Sequence, residues 1–445
     1  MSDVDTWLAA FRAQAAALPG AGLPWLAAIR QRAIGRFADE GWPTHRSDSF
    51  RHTSLAFLAH QSFATGSAAA TASASVQAAL GQLRRDGEAG HWLVFVDGVF
   101  APALSGVGAL PAGAQVGALS DALERFPERV EAAFGSAEAG ASPAALNAAF
   151  AADGAFVHLA RGVAVEAPIH LVFVAGTPTG ASHPRNLIVA EAGAQATVVE
   201  HYLGQSAGQA DAASLTNAVT RIDAGPDARI THLKLQQEAE QAVHLSTIEA
   251  TQARGAAFDS HSLSFGARLA RTDIVTRFDG EGCETLLNGL YHVDGRRHVD
   301  HHTRIEHAKP RGTSREFYRG IVDGAAHGVF AGRIIVAPGA LRTDAEQRTD
   351  NLLLSAQAEV DARPELEIYA DDVKCAHGAT VGQIDEASLF YLRSRGLDAA
   401  HARNLLTYAF ATAALARIGL VPLRRRAAAA IRARLPGGAL LEEPS

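Results

Sequence analysis

The run Ile169-His170-Leu171-Val172-Phe173-Val174 is a short apolar stretch of β-branched and aromatic residues, and it reads as a buried strand. Leu93-Val94-Phe95-Val96, Ala196-Thr197-Val198-Val199-Glu200 and Ile334-Ile335-Val336 repeat that texture. From about Trp92 to Ile368 such pieces alternate with Gly, Asp and Asn turns, on a rhythm of roughly ten to twenty residues. Few helical patterns lie between them. That argues against βαβ units, which need a helix at every crossover. One interruption, Leu119 to Ala152, is rich in Ala and Glu and reads as helical. The class expected is mainly β with flanking α. A sandwich and a parallel β-solenoid both satisfy the pattern, and no crisp repeat motif chooses between them.

Outside this core the period changes. Trp7, Leu8, Phe11, Ala15 and Leu18 recur at helical spacing until Pro19-Gly20, and Trp25, Leu26, Ile29, Ala33 and Phe37 form a second apolar stripe. The Ala/Ser/Gly-rich stretch Ser62 to Ser75 reads as a connector. After His377 the chain turns helical again, with Asp385 and Asp398 as N-caps, Gly396 as a C-cap, and Gly419 with Pro422 as a second stop. A further basic helix, Leu423 to Leu435, ends at Pro436-Gly437-Gly438, and Leu423-Arg424-Arg425-Arg426 reads as a solvated face. Three regions are expected: 1–75 helical with a linker, 76–382 β, and 383–445 helical.

The 445 residues carry a formal charge of −7, which opposes nucleic-acid binding, because that needs a clustered positive field. No apolar run reaches the roughly 18–20 residues that span a membrane. The acidic start Met1-Ser2-Asp3-Val4-Asp5 does not resemble a secretory signal, so a cytoplasmic location is the expectation. Cys283 and Cys375 are too few for a disulfide framework. They also fall short of the about four ligands, mostly thiolates, that an iron–sulfur cluster takes. Any cluster chemistry here would be shared with another subunit or completed by histidine and carboxylate.

The segment Asp371-Asp372-Val373-Lys374-Cys375-Ala376-His377-Gly378-Ala379-Thr380 holds the most reactive grouping. On a strand, Cys375 and His377 share a face and Lys374 takes the other. Neutral imidazole is a competent ligand for Fe²⁺, and Gly378 permits close approach by a backbone or partner. A second grouping is His292, His298, Asp300, His301, His302 and His307, with His327 beyond it. There His298, Asp300 and His302 share one face as a candidate metal site, while stacked polar ladders are the structural alternative. Cys283, in Gly282-Cys283-Glu284, reads as structural.

Five short motifs in order, Thr343-Asp344-Ala345-Glu346-Gln347, Asn351-Leu352-Leu353-Leu354-Ser355, Arg363-Pro364-Glu365-Leu366-Glu367-Ile368, Asp372 to Thr380 and Leu389-Phe390-Tyr391-Leu392-Arg393-Ser394-Arg395-Gly396, resemble the SufB/SufD family of the Suf iron–sulfur cluster assembly system. Phe95-Val96-Asp97-Gly98, Arg161-Gly162-Val163 and Phe330-Ala331-Gly332-Arg333-Ile334 extend the resemblance over most of the chain. The segment Arg348-Thr349-Asp350-Asn351 lacks the thiol found nearby in SufB-type chains, which favours the SufD type. Ser49-Phe50 and His52, within Pro43 to Thr53, stand where Glu-Trp and Tyr are usual in the family.

The resemblance implies a right-handed parallel β-helix core with an N-terminal helical region and a C-terminal helical subdomain. It implies a non-catalytic scaffold subunit that pairs with a SufB-like subunit through the core and takes part in iron entry. It also implies docking of a SufC-like ABC-type ATPase on the C-terminal hairpin, through Leu389, Phe390, Tyr391, Arg395, Gly396, Leu406 and Phe410. His377 matches the family histidine held to face a SufB cysteine, with Cys375 beside it. The iron or iron–sulfur cluster would be transient and shared with the partner, whereas homodimers and flavin binding stay open. The chain itself has no Walker-type glycine loop.

Two other classes compete. A β-helix hydrolase or lyase would use Cys375 as nucleophile and His377 as base, but same-face residues two apart sit roughly 6–7 Å from each other, too far for direct contact. A sugar-binding solenoid would want clustered aromatics, and only 7% of residues are aromatic.

Overall fold

Strand residues alternate between two environments that are both dry over most of the chain, which is why the strands read as nearly continuous apolar runs. The computed structural model of the chain describes residues 3–65, 74–84, 89–204 and 213–438. The expected connector Ser62–Ser75 lies for the most part outside the described residues. Leu215 pairs in parallel with Val243, Val243 with Leu269, Leu269 with His298, His298 with His327, and His327 with Glu359. In a second sheet Arg229, Ala257, Glu284, Thr313, Asp344 and Lys374 follow one another the same way. Successive strands alternate between the sheets, so each coil of roughly thirty residues gives one strand to each. The fold is a parallel β-solenoid, which decides the choice the apolar pattern left open.

The repeat that sequence inspection does not show is a backbone repeat. At the corner leading from the first sheet to the second, a positive φ recurs in successive coils, at Gly193, Asp227, Gly255, Gly282, Arg311, Arg342 and Asp372, all between 52° and 70°, with Gly339 at 81° as a second such residue beside Arg342. From Gly193 to Arg342 the amide of each of these corner residues donates to a carbonyl of the next coil's corner, as in Asp227 N to Arg254 O (2.8 Å), Gly255 N to Glu281 O (2.9 Å) and Arg342 N to Asp372 O (2.8 Å). Glycine accepts this conformation without cost and aspartate tolerates it, whereas arginine does so only because the ladder over-determines the turn.

Helices cover both outer faces. Asp3–Gln14, Pro24–Glu40 and the insertion helix Ser142–Phe150 bury Trp7, Phe37 and Phe150 against Leu215, Val243, Leu245 and Leu269 of the first sheet. The insertion helices Leu119–Arg125 and Pro127–Phe134 pack beside them. On the second sheet, Ala399–Leu415 and Val421–Arg432 seat Leu415, Leu423 and Ile431 on Leu233, Leu263, Leu290 and Ile321. Leu423 and Ile431 are fully buried, each contributing about 1.5–3 kcal/mol. The basic face of that last helix is not wholly solvated, because Arg426 Nη2 donates to Leu83 O at 2.8 Å.

The segment between Pro43 and Thr53 crosses the first sheet as a strap. Phe50 is buried beneath the Arg271 guanidinium, 3.8 Å from its ring centre. His52 Nδ1 lies 2.9 Å from Asp361 Oδ2, and Asp48 pairs with Arg363 at 3.3 Å. Of the departures from the family pattern here, Phe50 and His52 take part in the strap's packing, whereas Ser49 is exposed.

Candidate functional site

The two ends of the solenoid differ. At the start, the antiparallel strands Val99–Phe100 and Ala114–Ala118 close the sheets. At the other end, Glu359–Ile368 pairs only with His327–Val336 and Lys374–Gly382 only with Asp344–Leu353, which leaves both as edges. Their outer ladders have no neighbour among the described strands. Ile368, Tyr369 and Val381 stand 42%, 61% and 47% exposed there. A flat edge with apolar side chains is a template for pairing with another chain.

Cys375 and His377 sit on this last strand. Their register partners are Ala345 and Gln347, both buried on the inner face, so the two share the face that a further coil would cover. Cys375 packs partly on the central core, whereas His377 is exposed. Burial pushes the Cys375 thiol up and the nearby Asp344 adds to this, against the lowering effect of a hydrogen bond with the Ala345 backbone. That is opposite to what a nucleophile needs. Beneath them, Gln347 Nε2 donates to Glu316 Oε2 at 2.7 Å, and both side chains are buried. Sequence inspection missed Glu316, Ile368, Tyr369 and Val381. Their only signal was position on the last coils, which requires knowing where the solenoid stops.

The structure gives His298, Asp300 and His302, expected as a candidate metal site, other partners. Alternation does put the three on one face, but Asp300 is buried and already committed. It receives Arg271 Nη1 at 2.6 Å and the Thr53 hydroxyl at 2.5 Å, with His302 Nε2 at 3.1 Å. Burial alone would raise this carboxyl, but Arg271, then His302 and Thr53, overturn that effect and hold it far below the usual carboxylate range. His298 Nε2 is taken by Thr53 Oγ1 at 2.7 Å. Among the described residues no three His, Cys, Asp or Glu side chains are placed to hold a metal ion. Cys283 is a core thiol whose single S–H has Ala253 O (3.1 Å) and Gly280 O (3.2 Å) within hydrogen-bond reach of Sγ, and burial pushes it up.

The hairpin divides its expected docking residues. Asp385 caps Glu386–Ser394 by accepting from Ser388 N at 2.8 Å, and Asp398 caps Ala399–Leu415 by accepting from His401 N at 2.9 Å. Gly396 turns between the helices at φ 96°. Leu389 is buried, Leu406 is half-buried, and Phe410 is covered by Arg319, whose guanidinium lies 4.4 Å from its ring centre. These three belong to the chain's own packing. Phe390 and Tyr391 are 74% and 56% exposed, with Arg395 lying over Tyr391.

Comparison with known proteins agrees with this architecture. Residues 1–171 match the SufBD protein N-terminal region, and residues 173–410 match the SufBD core domain of SUF system FeS cluster assembly. The chain belongs to the SufBD family. It is 33% identical to the iron–sulfur cluster assembly protein SufD of Escherichia coli over 92% of this chain and 93% of that one. An iron–sulfur cluster assembly SufBD family protein of Synechocystis is 34% identical over 75% of each chain. The chloroplastic protein ABCI7 of Arabidopsis thaliana is 29% identical over 71% of this chain and 68% of its own. This is therefore a SufD-like protein of iron–sulfur cluster assembly. Among its described residues no helix is long and apolar enough to cross a membrane.

Proposed function

We propose that this SufD-like chain is a non-catalytic scaffold subunit that pairs with a SufB-like subunit through the open solenoid end. The observation that carries the reading is the pair of edge strands, whose outer ladders have no neighbour among the described residues, with His377 and Cys375 on the face awaiting cover. A partner solenoid would extend both sheets by strand addition and bury the two side chains. His377, as neutral imidazole, would hold incoming iron opposite a partner thiolate and release it more readily than a second thiolate would. Two cysteines on this chain, one in the core, make a shared and transient site the natural one.

The same reading gives Phe390 and Tyr391 to a SufC-like ABC-type ATPase, which would take the hairpin in a groove. Nucleotide-driven dimerisation of that ATPase would then pull on the hairpins over 385–418 and part the interface. The hydrolase reading draws no support from Cys375 and His377, which stand two apart on one strand, roughly 6–7 Å from each other.

Co-expression with SufB-like and SufC-like partners tests both contacts. His377→Ala should assemble the ternary complex but lose iron–sulfur absorbance by at least about tenfold, the order seen when metal shells are disturbed. A wild-type cluster yield in that variant would sink the site assignment. The double variant Phe390→Ser, Tyr391→Ser should release the ATPase while retaining the SufB-like partner. Exposed anchors of this kind are worth about 2 kcal/mol or more each. Unchanged capture of the ATPase would remove the hairpin from its docking role.

A further inference from the structure

Gln347 is a buried amide whose two ends are treated differently. Its Nε2 is committed to Glu316 Oε2 at 2.7 Å, while its Oε1 has no hydrogen-bond partner among the described residues. That oxygen is an acceptor separate from the N–H group that Glu316 engages. The side chain is wedged in place from across the interior: a Cβ added at Gly332 would come within 1.6 Å of Nε2. This joins two of the motifs, Phe330–Ile334 and Thr343–Gln347. On the other side, the register partner of Gln347 is His377, on the same face and one strand spacing of about 4.8 Å away.

A buried acceptor without a donor and an exposed imidazole therefore stand side by side at the open end. Once the end is covered, both must be satisfied, and turning the exposed ring satisfies the two together. Histidines that ligate metal commonly give their second ring N–H to such an acceptor, which fixes the tautomer.

We propose that Gln347 is a positioning residue for His377: its amide oxygen accepts the inward ring N–H and so presents the other ring nitrogen outward as the ligand. Glu316 sets the sense of the amide, and Gly332 leaves the room it needs. The proposal rests on the reading of His377 as a ligand at a covered interface.

The test uses the full-length chain with isotope-labelled histidine, free and bound to its SufB-like partner, and follows the imidazole N–H resonance that His377→Ala removes. In the bound wild type this resonance should be present and slow to exchange. Gln347→Met and Gln347→Leu should both lose it without a change in far-UV circular dichroism, two variants being used in case one fails to fold. Gln347→Glu, whose carboxylate accepts the same bond, should keep it and restore cluster yield. Survival of the resonance in Gln347→Met, or its absence from wild type in both samples, overturns the proposal. Failure of the proposed function shows separately, as a wild-type cluster yield in His377→Ala.

Discussion

Asp300→Ala is expected to lower the unfolding free energy by about 3–5 kcal/mol, the cost of breaking a buried ion pair from one side. Arg271 and Asp300 have side chains only 2% and 0% exposed, and their 2.6 Å contact is the centre of the strap site. Removing the carboxylate leaves a buried guanidinium and also strips acceptors from the Thr53 hydroxyl and His302. Asp273, which holds Arg271 at 2.7 Å and is 30% exposed, keeps a partial partner and points to the lower half of that range. The comparison that isolates the charge is the double variant Arg271→Met, Asp300→Leu. A well-packed apolar replacement of a buried pair is often close to neutral, so the double variant should recover most of the loss. Urea midpoints give the measurement. A loss under about 1 kcal/mol for Asp300→Ala, the range of an ordinary exposed pair, would mean that the strap is held by its other contacts, through Phe50, His52 and Asp48.

Glu316→Gln should stabilise the protein at pH 8 by about 3 kcal/mol and do little at pH 5. Burial pushes the Glu316 carboxyl up to about 7, with the Thr303 hydroxyl and the Gln347 amide pulling weakly the other way. The folded state thus binds this proton more tightly than the unfolded chain, whose glutamate titrates near 4.3. Stability from this group is fully present below the unfolded value. It declines as pH rises between about 4.3 and 7, and stays at the lower level beyond. Glutamine presents the same acceptor to Gln347 Nε2 and has no proton to lose. Paired urea titrations at pH 5 and pH 8 read the effect as a difference between two differences. An equal gain at both values would mean that Glu316 does not hold a proton in the folded state.

Much of the architecture was legible because it is local. Asp385 and Asp398 cap their helices through bonds to residues three positions on, a distance that sequence spacing reports directly. The strand texture was legible because both faces of the sheets are buried, which selects β-branched and apolar residues throughout. The coil repeat was hidden because its invariant is a backbone conformation. Glycine, aspartate and arginine all occupy the same left-handed corner, at Gly255, Asp227 and Arg311, and no residue pattern records a shared φ.

The histidine-rich strand shows the limit most clearly. Alternation placed His298, Asp300 and His302 on one face, and the structure agrees. The partners of Asp300 on that face are Thr53, 247 positions away, and Arg271, one coil away. Residue type and motif by themselves determined the family, the strand texture, the helix ends and the candidacy of Cys375 and His377. Only the tertiary structure decided that those two lie on an uncovered end, that Leu389 and Phe410 turn inward while Phe390 and Tyr391 stay out, and that Gln347 lies beneath His377. Each of those facts depends on which segments stack over one another, and stacking is a property of the coil register, which the linear chain does not write in any residue.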